Sequence, residues 1–267
     1  MLSILKSALN ANNKEMGIVS NNIANVNSTA FKKSKTNFEH IYSRDSESSP
    51  NKYSGQGVGV NEPLLQMSQG SLKTTNGALD LAITGLGFFQ VIHENILEDP
   101  FFTRDGSFNI TEKGEVVTND GLNVMGFLGE EVGLLQNLLI PPRKVNKDLT
   151  TSMLTNINVN SNGKITAIYG LDNEEVIGTI ALASFPNETG LRQVGNNRYK
   201  ISTKSGLPNY GKPMEGAFGK IEAGNLERSN VDITSEMITM LKAQQAFSGV
   251  SRLLQAEVDV TKRLIDS

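Results

Sequence analysis

At 267 residues the chain has room for one large or two small domains, and its 38% hydrophobic content lies in the globular range. A net charge of −3 leaves no basic footprint for nucleic acid or an anionic membrane. The absence of Cys excludes disulfides, thiolate nucleophiles and Cys-bound metals, and no apolar run approaches the roughly 18 residues of a membrane span.

The first stretch carries a heptad-like seam. Leu2, Leu5, Leu9, Asn12, Met16, Val19, Ile23 and Val26 step by three and four in alternation, with one polar occupant at Asn12. This amphipathic pattern, with no small-residue cleavage site after it, is not that of a cleaved secretion signal. Residues 25–38, rich in Asn, Ser and Thr, end the helix because such side chains compete for backbone hydrogen bonds. From Ser43 to Gly59 the composition is polar and rich in Ser, Asn and Gly, which predicts an extended arm of low intrinsic order.

From Val58 onward the pattern is that of strands. Gly57–Asn61, Leu79–Ile83 and Gly87–Ile92 alternate or run apolar, separated by turn residues. Phe101–Thr103 and Ser107–Ile110 flank Arg104-Asp-Gly106 and are expected to form a hairpin. Glu115–Thr118 and Leu122–Met125 are expected to pair across Asn119-Asp-Gly121, and Asn162-Gly163 marks another hairpin. Closely spaced strands of this kind predict an antiparallel β domain.

The last stretch returns to a helical seam through Ile233, Met237, Met240, Gln244, Phe247, Ser251, Leu254, Val258, Thr261 and Ile265. Asp232 is placed to cap it, with Glu236 near the positive helix end. A narrow seam leaves each helix in need of a partner. The two ends can form an antiparallel hairpin on the protein's own core, or pack mainly against neighbouring copies. The polar seam positions favour the second, with Asn12 and Gln244 setting register. The fold class is α+β: a discontinuous, coiled-coil-like helical domain from residues 1–42 and 225–267, an arm at 43–70, and an all-β domain at 71–224.

Catalytic and metal-binding patterns are missing. His40 and His93 stand apart, with no zinc spacing around either. Gly85-Leu-Gly87 lacks the third glycine and following helix of a dinucleotide site. Adjacent acids such as Glu130-Glu131 and Glu174-Glu175 point to opposite faces of a strand, unlike paired glycosidase carboxylates. The expectation is a protein that is no enzyme and takes no cofactor.

Five blocks carry a family resemblance. Ser20-Asn-Asn-Ile-Ala-Asn-Val-Asn-Ser-Thr-Ala-Phe-Lys32 resembles the N-terminal signature of bacterial flagellar rod and hook proteins. The stretch Gln69–Val91, Thr103-Arg-Asp-Gly-Ser-Phe108 with Gly114–Thr118, and Gly224–Ile238 with Gln244-Gln-Ala-Phe247 resemble successive parts of the same family, and Gly190–Tyr199 is a weaker match. The resemblance implies a self-assembling helical tube, with the terminal helices as inner core and the β domain as outer wall. It implies copies of this chain, other rod and hook subunits, the rings around the rod and the type III export apparatus as partners. It also implies a periplasm-spanning basal-body location, export without a cleaved signal, no bilayer insertion, and torque transmission from motor to hook. Residues 128–156 leave no room for the extra β domain of a hook protein, so a rod protein is favoured, most like the distal member; a proximal rod or short hook protein is the alternative. Ala30 stands where the family often has Gly. The reading from another class is a secreted carbohydrate-binding or adhesive β protein, which the missing Trp disfavours.

Overall fold

A computed structural model describes residues 2–44, 53–93, 99–128, 135–145, 151–170 and 173–265. The acidic pair Glu130-Glu131 and arm residues 45–52 lie outside them. The chain divides into two compact units: residues 1–27, 32–66 and 231–267, and residues 28–31 with 67–230. Two terminal helices and a large antiparallel sheet make the fold α+β, as the sequence predicts.

The first unit is built on α1 (Leu2–Ala24) and α2 (Ile233–Ile265). α1 ends where Asn25 N–H still reaches the carbonyls of Asn21 and Asn22, at 3.2 and 3.1 Å. α2 starts as expected: the Asp232 carboxylate accepts from the N–H groups of Thr234 (2.8 Å) and Ser235 (3.3 Å), which satisfies two otherwise orphaned donors.

The arm differs from its sequence reading. Tyr53–Val60 is a strand, paired antiparallel with Phe38–Arg44 across a bulge at Ile41/Tyr42. What orders so polar a segment is α1 itself. Ser7 Oγ accepts from Val58 N–H at 3.3 Å, and Gly57, at φ +107°, brings its backbone so close that a Cβ would strike that hydroxyl. Only glycine combines that approach with that dihedral.

Among the described residues the second unit holds a 14-stranded sheet. Its main path runs Arg143–Val145, Thr151–Val159, Lys164–Tyr169, Asn173–Ile180, Asn123–Phe127, Phe88–Ile92, Phe101–Thr103, Arg198–Lys200 and Arg192–Gln193. The hairpins at Asn162-Gly163 and Asn119-Asp-Gly121 form as predicted, with Gly163 and Gly121 at φ +76° and +78°. Alternation delivers the core. Phe89 and Val91 point into a cluster with Leu81, Ile83, Leu138, Ile180 and Ile221. Phe88, one residue earlier, faces the other way. It meets Phe185 and Tyr199 edge-on at 5.9 Å each.

One expected hairpin does not form. Phe101–Thr103 pairs with Phe88–Ile92 and Arg198–Lys200, while Phe108–Ile110 pairs with Val116–Thr118. The turn between them is spent on other contacts. Leu81 N–H donates to Gly106 O at 3.0 Å, and Gly106 lies so close to Leu81 that any Cβ would collide with its carbonyl. Asp105 Oδ1 accepts from Ser107 N–H (3.1 Å) and Oγ–H (2.7 Å), and Arg104 is buried.

Burial pushes the Asp105 carboxyl above its ordinary pKa, outweighing those hydrogen bonds. A raised carboxylate pKa means the folded state holds its proton more tightly than the unfolded chain. Stability is then lost as pH climbs from the ordinary value through the raised one, and stays lost above it. Asn at this position keeps the acceptor and removes the charge. Asp105→Asn is expected to be at least as stable as the natural chain at pH 7, with that advantage gone below about pH 4; urea unfolding at the two pH values checks it.

Ala30 sits in the left-handed region at φ +55° and is fully buried, its N–H donating to Glu227 O at 2.8 Å. Glycine would adopt this dihedral without strain. A β-branched side chain has neither room nor an allowed dihedral. Ala30→Val is expected to cost about 3 kcal/mol, read from chemical denaturation.

Candidate assembly interface

The first unit offers the surfaces on which assembly can act. Glu236, in the first turn of α2, lies against Asn22 near the end of α1, so the helices run antiparallel. Asn22 Nδ2–H₂ donates to Glu236 Oε2 (3.1 Å) and Ser34 O (2.9 Å), and Asn22 Oδ1 accepts from Ser34 N–H (3.0 Å). Lys33 Nζ stands 3.4 Å from Glu236 Oε1. Both Asn22 and Glu236 are buried. A fully engaged polar cluster of this kind fixes one alignment, because any slip strands buried polar groups. Neither residue belongs to the seam read from sequence, which gave the register role to Asn12 and Gln244.

The expected seam residues fall into two groups. Val19 is buried, and Leu5, Leu9, Asn12, Met16, Ile23, Met240, Phe247 and Leu254 are half-buried. Val26, beyond the end of α1, is half-buried as well. Leu2, Met237, Gln244, Val258 and Ile265 are exposed. Along α2 the line facing the chain's own partners is Glu236, Met240, Ala243, Phe247, Val250, Leu254 and Glu257, stepping by four and three. It is rotated slightly from the expected seam. Ala243 is small enough to let the helices approach, and it replaces Gln244. The signal was present in the sequence, but α2 is apolar on more than one line, and periodicity alone does not choose between them.

That second line is exposed. Met237, Ile238, Leu241 and Leu253 are 49–60% exposed along the body of α2, and Val260 and Leu264 continue it toward the end. An amphipathic helix with two apolar faces and one partner is incomplete as a monomer. α1 has a matching oddity. Gly17 lies inside the helix, where glycine costs about 1 kcal/mol relative to alanine, yet a Cβ there would meet nothing within 4 Å. Nothing among the described residues requires that glycine. Beside it opens a cavity of about 610 Å³.

Comparison with known proteins explains surfaces of this kind. Residues 2–32 match a family model described as flagella basal body rod protein. Residues 82–167 match the flagellar hook protein FlgE/F/G D1 domain, and residues 222–266 the flagellar basal body rod FlgEFG protein C-terminal model. The flagellar basal-body rod protein FlgG of Buchnera aphidicola subsp. Baizongia pistaciae is 32% identical over 98% of this chain and 97% of its own length. The chain belongs to the flagellar rod and hook protein family.

The FlgG of Borreliella burgdorferi is 30% identical over 93% of this chain and 91% of that one. The flagellar hook protein FlgE of Salmonella typhimurium matches only 42% of this chain and 28% of its own, at 31% identity. Within the rod and hook family the likeness to rod proteins therefore runs nearly end to end, and the likeness to the hook protein is partial. The chain is a structural subunit of the flagellar basal-body rod, most like the distal member, in a family of structural proteins that are not enzymes. It assembles with other flagellar rod and hook subunits.

Proposed function

We propose that this rod subunit polymerises through its terminal helices into a tubular drive shaft that carries torque from motor to hook. The observation that carries this reading is the uncovered apolar line of α2, on a helix whose opposite face is already spent on α1. Such a helix gains roughly 1.5–3 kcal/mol for each large apolar side chain that a neighbour buries fully. Helices joined along their length resist twisting, because relative rotation breaks buried contacts throughout. The tube spans the periplasm at its distal end, inside the rings that surround the rod. Subunits reach it through the type III export apparatus, and none inserts into the bilayer or binds nucleic acid.

Mass spectrometry of purified basal bodies, before and after hook and filament are dissociated, tests the reading. The chain is expected to stay with the stripped rod. Departure with the hook fraction would make it a short hook or junction protein, and absence from both would remove it from the axial structure.

A further inference from the structure

α2 has 33 residues against 23 in α1. With Asn22 aligned on Glu236, α1 runs back roughly twenty residues to Leu2, which brings α2 only to about Ala256. The remaining turns, about 13 Å of helix, project past the start of α1. Residues 258–265 are all exposed, and Leu264 and Ile265 are 72% and 78% accessible. On the same unit, the cavity beside Gly17 is lined by Lys14, Ile18, Val60, Glu62 and Pro63. It lies on the order of 35 Å along the helix pair from this projecting end, so a chain cannot fill its own cavity.

We infer that the projecting end of α2, residues 258–265, seats in the Gly17 cavity of a second copy of this chain. This rests on the assembly reading above and specifies which surfaces join. The chemistry corresponds. The cavity offers aliphatic wall at Ile18, Val60 and Pro63, a basic group at Lys14 and an acidic one at Glu62. The projecting helix offers Val258, Val260, Leu264 and Ile265, with Asp259 about one turn from Lys262 and Arg263. Gly17 then has a purpose: with no Cβ, it lets a neighbouring helix approach the backbone of α1. The contact joins two different patches, so it does not close on itself. Repetition gives an open helical filament rather than a dimer.

The natural chain has no Cys, so disulfide trapping has no background. Ile18→Cys and Leu264→Cys would be produced together, and each alone, in a flagellated bacterium lacking its own copy of this subunit, then oxidised. The expected result is restored motility and a covalent dimer from the mixture, with neither variant alone giving one. Motility without the mixed dimer overturns this inference and leaves the rod reading standing. Dimer from either variant alone shows a symmetric contact and also overturns it. If the unaltered chain fails to restore motility, the rod reading falls and this inference falls with it. If only the cysteine variants fail to swim, Gly17→Ala decides. It should raise the melting temperature of the purified chain yet reduce completed flagella at least tenfold, and a stabilised variant with normal flagellar number is the contrary result.

Discussion

Glu227→Ala is expected to cost the β unit about 3–5 kcal/mol, because it leaves a buried guanidinium without its counter-charge. Arg104 and Glu227 are almost completely shielded from solvent, with Nη1 and Oε2 3.6 Å apart. Arg104 also donates through Nη2 to Gly85 O at 3.0 Å and lies over the Phe88 ring at 5.1 Å. Glu227 Oε1 accepts from Gly70 N–H at 2.8 Å. The pair thus fastens the Gly85 turn and the Gly70 loop to the strand Asn225–Glu227. Thermal unfolding should show a fall on the order of 10 °C for a unit of this size. Glu227→Gln, which can still accept from Gly70, should lose less. Replacing both charges, Arg104→Met with Glu227→Leu, should recover most of the loss, since a buried pair is worth little over apolar groups of similar volume. A cost below about 1 kcal/mol for Glu227→Ala would show that water or backbone groups satisfy Arg104 without it.

The second large effect is on assembly. Leu9 is half-buried on α1, in a unit whose helices bury only Ala11, Val19, Asn22, Glu236 and Ala243 fully. A core this thin has little stability to spare. Leu9→Asp removes an apolar contact and places a carboxylate where it must be desolvated, a cost of several kcal/mol. The expected outcome is complete loss of motility and of the chain from basal bodies. The main thermal transition, set by the separate core around Phe89, Val91 and Ile180, should remain in place. Cells that swim normally with Leu9→Asp would show that this face of α1 does not matter for the rod.

How much of this could be read from the sequence depended on whether the physics was local. Asp232 caps α2 and Asn162-Gly163 closes a hairpin because each depends on a few adjacent residues. Arg104-Asp-Gly106 misled because the partners that open it are distant: Leu81 against Gly106, and Glu227 against Arg104. The first half of the strand Tyr53–Val60 was hidden because its order comes from Ser7 of α1, not from its own polar composition. On α2 the face turned inward within the chain runs beside the expected seam. Choosing Glu236 and Ala243 over Met237 and Gln244 required knowing that Asn22 waited opposite, and no periodicity carries that.

That last contact has a consequence in time. Asn22 and Glu236 are 214 positions apart. Closing so wide a separation has to wait for nearly the whole polypeptide, whether it is leaving a ribosome or a narrow conduit. The strand pairings of the β core join segments closer together along the chain, so that core can gather beforehand. The helical pair, and every sticky surface it displays, comes into being last. A subunit halfway through its journey is therefore inert toward its fellows, and it becomes adhesive only once its tail has arrived.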